Sequence, residues 1–235
     1  MATPSIGVFS FGRIQSQRCV NKMLRPFGGT TLADIALGKL KAFEPHSFFA
    51  AYDDEFRQKC LAHKVPFVPR DLRSVSIDEP ITDILSFLRD VPYTHLLIVN
   101  SCLPFLQVPT IRRFLDECVA GDLAPAFAVI RRKNHFLSLD QRPLNFPADL
   151  TTINSKTVEP VLEFAHALYF FERDYFFAHG RYWDWHTVRL LEVPDPRELV
   201  DIDTEADFEF AEALWRGTGG KFDTGRHPGG QGHHP

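Results

Sequence analysis

No two cysteines stand in a C-x-x-C spacing, no apolar run approaches the length of a bilayer span, and basic residues do not outnumber acidic ones. Each absence excludes a class of function. Without paired cysteines, Cys19, Cys60, Cys102 and Cys118 write neither a zinc site nor a thioredoxin-type motif, and reduced thiols fit best. Without a long apolar stretch there is no membrane partner to expect. A net charge of −4 speaks against a non-specific nucleic-acid binder, which needs basic surface to displace counterions from phosphates. The opening MATPSIGVFSFGR also lacks the positive start and sustained apolar core of a signal peptide, so the expected location is cytoplasmic.

Apolar residues make up 44 % and charged residues 24 %, the balance of a soluble globular chain able to bury a large core. Phe is abundant at 22 residues, and the rings fall in strand-like and helix-like runs that suit a core. SIGVFSFG (5–12) reads as a buried strand, followed by a long cationic loop. TLADIALGKLKAF (31–43) has helical spacing behind Thr30 or Thr31 as N-cap. HSFFAAY, DEFRQKCLAHK and VPFVPR continue as strand, helix, strand; a helix at 81–89 leads to HLLIVN (95–100), and TIRRFLDECVA is a further helix. This alternation predicts α/β winding around a mainly parallel sheet. SCLPFLQVP, after HLLIVN, lies where such sheets place ligands, beyond the carboxyl end of a central strand. From Ala126 the texture becomes β-rich: AFAVIRRKN and HFLSLD look like paired strands, HALYFFERDYFFAHG like strand into short helix, and TVRLLEVP like a strand. TEADFEFAEALW is a helix opened by a Thr204-x-x-Asp207 capping box. We expect one domain over 1–216, its 126–185 region an extension, and a flexible Gly- and His-rich tail over 217–235. Flexibility there denies His227, His233 and His234 a fixed metal geometry.

Two constellations carry chemistry. The loop GRIQSQRCVNKMLRPFGG (12–29) holds Arg13, Arg18, Lys22 and Arg25 with no acid among them. Gly7 and Gly12 have the spacing of a P-loop's glycines, but Arg13-Ile14 stands where Lys and Ser/Thr belong. Backbone N–H groups plus Arg13, Arg18 and Lys22 suit a triphosphate and the pyrophosphate leaving it. Unrelated cations on a solvated loop are the plainer alternative. The second is VDIDTEAD (200–207). Asp201 and Asp203 are two apart, so an extended backbone turns both carboxylates to one face, and such oxygen donors suit Mg²⁺. Two aspartates before a helix N-terminus are also favourable with no metal.

The loop, read as R-x-x-S-x-R-x-x-x-K-x-x-R-P-F-G-G, resembles the nucleotide-binding signature of the acylneuraminate cytidylyltransferases. VDIDTEADFEFAE resembles that family's metal-binding segment, and EPVLEFAHALYFFERDYF the segment shaping its acid-sugar pocket. The likeness runs in order from about Ser5 to Trp215. It implies a Rossmann-like nucleotidyltransferase fold and transfer of CMP from CTP to a small acidic acceptor, a sialic-acid-like or other 2-keto-3-deoxy sugar, with release of pyrophosphate. By position, Arg13, Ser16 and Lys22 would bind the CTP phosphates, with Arg13, Lys22 and Asp203 the catalytic set and Asp201 and Asp203 holding Mg²⁺. Departures are also visible. Gln17 and Val20 replace the family's Lys and Pro, and Arg18 can restore the charge. The central strand ends in Asn100-Ser101-Cys102-Leu103-Pro104 in place of a Q-P-T-S-P-like run, and Ala165-His166-Ala167 stands for Asn-Gly-Ala. Asn100 and His166 are therefore the acceptor candidates, His166 as an acid-group ligand, a base or a core histidine. Arg70 and Asp78 flank a loop that the likeness puts near the nucleotide, where they could make base or ribose contacts, Arg70 as a nucleotide-binding residue; ordinary loop polarity is the plainer alternative. Arg131, Arg132 and Lys133 end a strand and could meet an acidic acceptor or simply face water. A phosphonate or sugar-phosphate acceptor, and a non-catalytic nucleotide-binding relative, are the alternatives. The rings of YFFERDYFFAHGRYWDW are a candidate homodimer contact.

Overall fold

The computed structural model describes residues 4–16, 18–76 and 78–220; Gln17 and the three tail histidines lie outside them. Seven strands form one sheet: β1 (Ile6–Phe11), β2 (Ser47–Ala51), β3 (Phe67–Pro69), β4 (His95–Val99), β5 (Ala126–Arg132), β6 (Val161–Glu172) and β7 (Arg189–Glu192). Their order is β3-β2-β1-β4-β6-β5-β7. Only β6 runs against its neighbours, β4 and β5; every other pair is parallel. The helices are α1 (Leu32–Lys41), α2 (Asp54–His63), α3 (Ile81–Ile84), α4 (Val108–Ala120), α5 (Arg173–His179) and α6 (Glu205–Thr218). Among the described residues no helix is long and apolar enough to cross a membrane.

Alternation along the strands builds two cores. Val8, Phe49, Ala51, Leu97, Val99, Leu168 and Phe170 point to one face, against α1, α2, α4 and α6. Phe9, Phe48, Ala50, Leu96, Ile98 and Phe171 point to the other, under Leu85, Phe87 and Phe176. Covering both faces explains why the strands read as near-continuous apolar runs. The rings of Phe9 and Phe48 stack at 5.0 Å, so much of the Phe content is spent here. Because β1 pairs with β2 on one side and β4 on the other, the sheet has its crevice between the carboxyl ends of β1 and β4.

Local signals in the sequence match the elements. Thr31 is the N-cap of α1, accepting from the Asp34 amide at 3.2 Å, and Thr204 and Asp207 form the reciprocal capping box of α6. Three expectations need correction. His135–Asp140 does not pair with β5; it contributes one isolated bridge, Leu137 to Pro143, and β5 pairs instead with the distant β6 and β7. The helix expected over 81–89 divides into α3 and a 3-10 turn, Ser86–Asp90. Helix α6 runs on to Thr218, past the point where the tail was expected to begin. Gly7 serves packing: a Cβ there would lie 2.4 Å from the Tyr93 ring.

The cationic loop divides into two halves. Its second half, Arg25 to Gly29, clasps α6. Phe27 meets Phe208 edge to face at 5.2 Å and Trp215 at 5.6 Å, Arg25 lies 3.6 Å over the Phe208 ring and pairs with Glu205 at 2.8 Å, and the Gly28 amide donates to Glu212. This joins the start of the chain to its last helix. Gly28 is left-handed, φ 54°, and a Cβ would stand 2.5 Å from Trp215, whereas Gly29, φ 89°, has open space. Gly28→Ala should therefore cost about 1–3 kcal/mol in urea denaturation, from backbone strain plus displaced packing. Gly29→Ala should cost less; equal costs would show that Trp215 does not hold the clasp.

Candidate functional site

A cavity of about 630 Å³ opens at the carboxyl ends of β1 and β4. The first half of the cationic loop forms one wall, contributing Arg13, Ser16, Arg18 and Lys22. Asp203 stands opposite, and Asn100, Ser101, Cys102, His166, Tyr169 and Tyr182 close the side formed by β4, β6 and the segment after α5. Residues from both ends of the sequence thus meet. Lys22 donates to the Ile202 carbonyl and lies 3.5 Å from Asp203, while Arg18 reaches the same carboxylate at 3.0 Å. The Asp207 carboxylate, as part of the cap, accepts from the amides of Asp203 and Thr204 and so fixes the approach to α6.

The charges are unevenly satisfied. Burial opposes the Lys22 ammonium, while Cys102, Asp203 and Asp201 favour it, and the balance lies above the ordinary lysine value. Burial in turn pushes the Cys102 thiol up, against the pull of Lys22. Burial first, and Asp203 second, also raise the pKa of Asp201 against the pull of Lys22. One Asp201 carboxylate oxygen, Oδ1, is buried with no hydrogen-bond partner. A buried carboxylate oxygen left open beside a second carboxylate is the donor set of a hard divalent cation whose other ligands are water or substrate oxygen. The two aspartates therefore fit Mg²⁺. Among the described residues no cluster of three or more His, Cys, Asp or Glu side chains could enclose a metal alone.

Arg13 donates to the Val75 carbonyl at 2.9 Å and faces the cavity. Arg70 is buried: its guanidinium donates to the Ser74 hydroxyl and to the carbonyls of Ser74, Gly12 and Ile84, and packs over Phe11. Burial, then the nearby Arg13, lowers its pKa to about 10, which leaves it charged at neutral pH. It ties the end of β1 to the 70–84 segment. Asp78 sits exposed in that segment, its amide donating to Ser76. Arg131 and Arg132 are exposed and spent on Glu192 and Glu163, and Lys133 is exposed beyond the strand; none of the three lines the cavity.

Asn100 and His166 are in contact: the Asn100 side-chain amide donates to the His166 carbonyl at 2.8 Å, and its oxygen accepts from the Cys102 amide. His166 is left-handed, φ 49°, in the middle of β6, where pairing with β5 jumps from Phe127–Tyr169 to Val129–Phe164. A non-glycine residue in this conformation is costly and the bulge around it re-aims its side chain. His166 Nδ1 is hydrogen-bonded to the Tyr169 hydroxyl at 2.5 Å. Tyr169 and Tyr182 were not foreseen as site residues; in sequence they sit in the aromatic run given as a candidate dimer contact, and the structure sets both on the cavity wall.

Two buried polar side chains, Lys39 and Glu198, brace the loop behind the cavity. Lys39 donates to the Leu103 carbonyl, and Glu198 accepts from the Gln107 amide and the Thr110 hydroxyl, so both fix the loop between β4 and α4. Burial lowers the Lys39 pKa to about 7 against some help from Glu198. The unfolded chain therefore binds more protons than the folded one above pH 7, and the stability debt of Lys39 shrinks as pH rises. Lys39→Met should melt higher than wild type at pH 7, with the advantage narrowing toward pH 9. A constant gap would contradict a Lys39 whose pKa is lowered by folding. The comparison stops at pH 9 because Cys60 and Cys118, pushed up to about 12 by burial, then act in the opposite sense.

Residues 13–183 match the profile of the MobA-like NTP transferase domain. In fold the chain is similar to a CMP:2-keto-3-deoxy-manno-octonic acid synthetase complexed with CTP, with TM-score 0.65 and 13% identity, covering 89% of this chain and 98% of that one. A cytidylyltransferase from Leptospira borgpetersenii serovar Hardjo-bovis matches with TM-score 0.62 and 14% identity, covering 91% and 87%. A 4-diphosphocytidyl-2C-methyl-D-erythritol synthase from Anaerococcus prevotii gives TM-score 0.61 and 13% identity, covering 91% and 96%. At such identities these likenesses establish the fold. No curated protein sequence matches the chain.

Proposed function

We propose, from the premise that the chain belongs to the MobA-like NTP transferase family, that it transfers CMP from CTP to a small anionic acceptor and releases pyrophosphate. The observation that carries this reading is the meeting of the Arg13–Lys22 wall with Asp203 at one open cavity, Asp201 standing two residues before it in the chain. The Val75 and Ile202 carbonyls meet Arg13 and Lys22, and the half-buried Asp203 carboxylate meets Arg18 and Lys22, an arrangement that a polyphosphate would complete. The choice of CTP is supported by the signature likeness to acylneuraminate cytidylyltransferases and by the three structural neighbours, two named cytidylyl enzymes and one holding CTP.

In this reading Arg13, Ser16, Arg18 and Lys22 hold the triphosphate along the loop, and Lys22 keeps its proton so that it can balance charge as pyrophosphate departs. Asp201 and Asp203 would hold Mg²⁺, which when bound supplies charge neutralisation at the phosphates. Arg70 keeps the floor of the site in place. An oxygen of the acceptor attacks the α-phosphorus and the bond from that phosphorus to the bridging oxygen breaks, its electron pair leaving with pyrophosphate. Asn100 and His166 face the acceptor side. The acceptor classes drawn from the sequence are a 2-keto-3-deoxy acid sugar, a phosphonate and a sugar phosphate.

Pyrophosphate release from CTP and Mg²⁺, measured across those three acceptor classes, tests the proposal. Release should require one acceptor and fall at least about 100-fold in Asp203→Ala, the scale expected for losing a group that balances transition-state charge. Tight CTP binding with no release on any acceptor would replace this reading with a non-catalytic nucleotide binder.

A further inference from the structure

Beside the main cavity lies a second recess of about 160 Å³ lined by Phe127, Phe164, His166, Tyr169, Tyr182, Trp183 and Trp185. It is continuous with the first, because His166, Tyr169 and Tyr182 border both. Phe127, buried in β5, is its hub. Phe164, Tyr169, Tyr182 and Trp183 stand around it with ring centroids 5.3 to 5.9 Å away and planes at 63° to 78°. Trp183 and Trp185 meet at 6.2 Å, and Trp185 closes toward Phe164 at 6.0 Å while remaining mostly exposed. Rings crossed in this way present π faces as well as edges to the space between them.

We infer that this recess is the acceptor's head-group subsite and takes a quaternary ammonium group, so that the acceptor is a phosphate or phosphonate carrying a trimethylammonium end. The inference rests on the nucleotidyl-transfer reading and refines its acceptor. The argument is one of matching polar inventories. None of the side chains lining the recess is a carboxylate, an amide or an aliphatic alcohol. A sugar ring would bring hydroxyls needing hydrogen-bond partners, and a primary ammonium would bring three N–H donors. A trimethylammonium group brings positive charge with no donor at all, and the faces of Trp and Tyr attract such a charge while desolvating it cheaply. An uncharged alkyl end would fit the same walls without using their π faces.

The other end of such an acceptor suits the main cavity. Its anionic phosphorus group would extend past His166 toward the loop and the α-phosphorus. A dianionic phosphate has no proton to lose on attack: its oxygen forms the new P–O–P linkage, the old bridging bond breaks, and pyrophosphate carries away the electron pair. His166, already tied to Tyr169, would then position the acceptor and need not act as a base.

Three probes separate the alternatives: 2-(trimethylammonio)ethyl phosphate, its carbon isostere 3,3-dimethylbutyl phosphate, and 2-aminoethyl phosphate. Each is titrated into the protein with Mg²⁺ and a CTP analogue bearing a methylene bridge between the α- and β-phosphorus present, so that no transfer occurs, reading Trp fluorescence and heat. We expect the quaternary ligand to bind at least about tenfold tighter than either analogue. Trp185→Leu, at an exposed position, should erase that preference while leaving CTP affinity unchanged. Equal affinity for the carbon isostere would overturn the inference in favour of a merely apolar recess. Tighter binding of a 2-keto-3-deoxy acid sugar, weakened by Trp185→Leu, would overturn it in favour of a sugar. No binding of the quaternary ligand while CTP still binds would overturn the subsite alone; failure of CTP itself to bind would remove the underlying reading and this inference with it.

Discussion

Lys22 and Ile202 are 180 residues apart in the chain, yet the Lys22 ammonium bonds the Ile202 carbonyl and faces the carboxylate that follows it. Everything else in the site depends on that closure. The loop after β1 carries the positive side and the segment before α6 the negative side, and neither has a fold of its own. The clasp of Phe27 against Phe208 and Trp215 supplies the apolar contact that holds them face to face, which surface ion pairs alone would not do. Arg25, although part of the cationic run, belongs to this clasp through Phe208 and Glu205. One half of the loop thus positions the other.

The protein bears costs at this crevice that a purely structural site would avoid. Asp201 has a buried oxygen without a partner, Arg70 is a guanidinium in the interior, Lys39 is a buried amine whose proton burial disfavours, and His166 holds a left-handed backbone in a strand. Each is destabilising taken alone; Arg70 and His166 line the cavity itself, Asp201 is two residues from its Asp203 wall, and Lys39 braces the loop after β4. Such clustering of unsatisfied charge and backbone strain is characteristic of a site organised for a ligand, because the ligand or its ion completes what the apoprotein leaves open.

Local features were legible in the sequence because their causes are local. The Thr31 and Thr204 caps, the alternation that builds β1 and β4, and the spacing of Asp201 and Asp203 all depend on residues within one turn or one strand. The carboxyl end of β4 could be singled out from chain order, since a parallel strand in that place must end at the crevice. Long-range choices were not legible. His135–Asp140 looked as suitable a partner for β5 as β6 does, and nothing nearby in sequence announces that β6 will arrive from 30 residues further on. The β6 bulge follows from two pairings that fall out of register, and no local pattern announces that Tyr169 and Tyr182 will stand on the cavity wall. Lys39, on an amphipathic helix, reads as surface; its burial depends on Leu103 and Glu198, far along the chain.

The central claim is that a triphosphate lies between the Arg13–Lys22 wall and the two aspartates. A crystal structure with Mg²⁺ and a CTP analogue bearing a methylene bridge between the α- and β-phosphorus tests it most directly. The account predicts phosphate oxygens within hydrogen-bond reach of Arg13 and Lys22, with the Arg18 and Lys22 contacts to Asp203 opened so that Asp203 turns toward the ion. An analogue bound elsewhere, with both of those ion pairs intact, would contradict it.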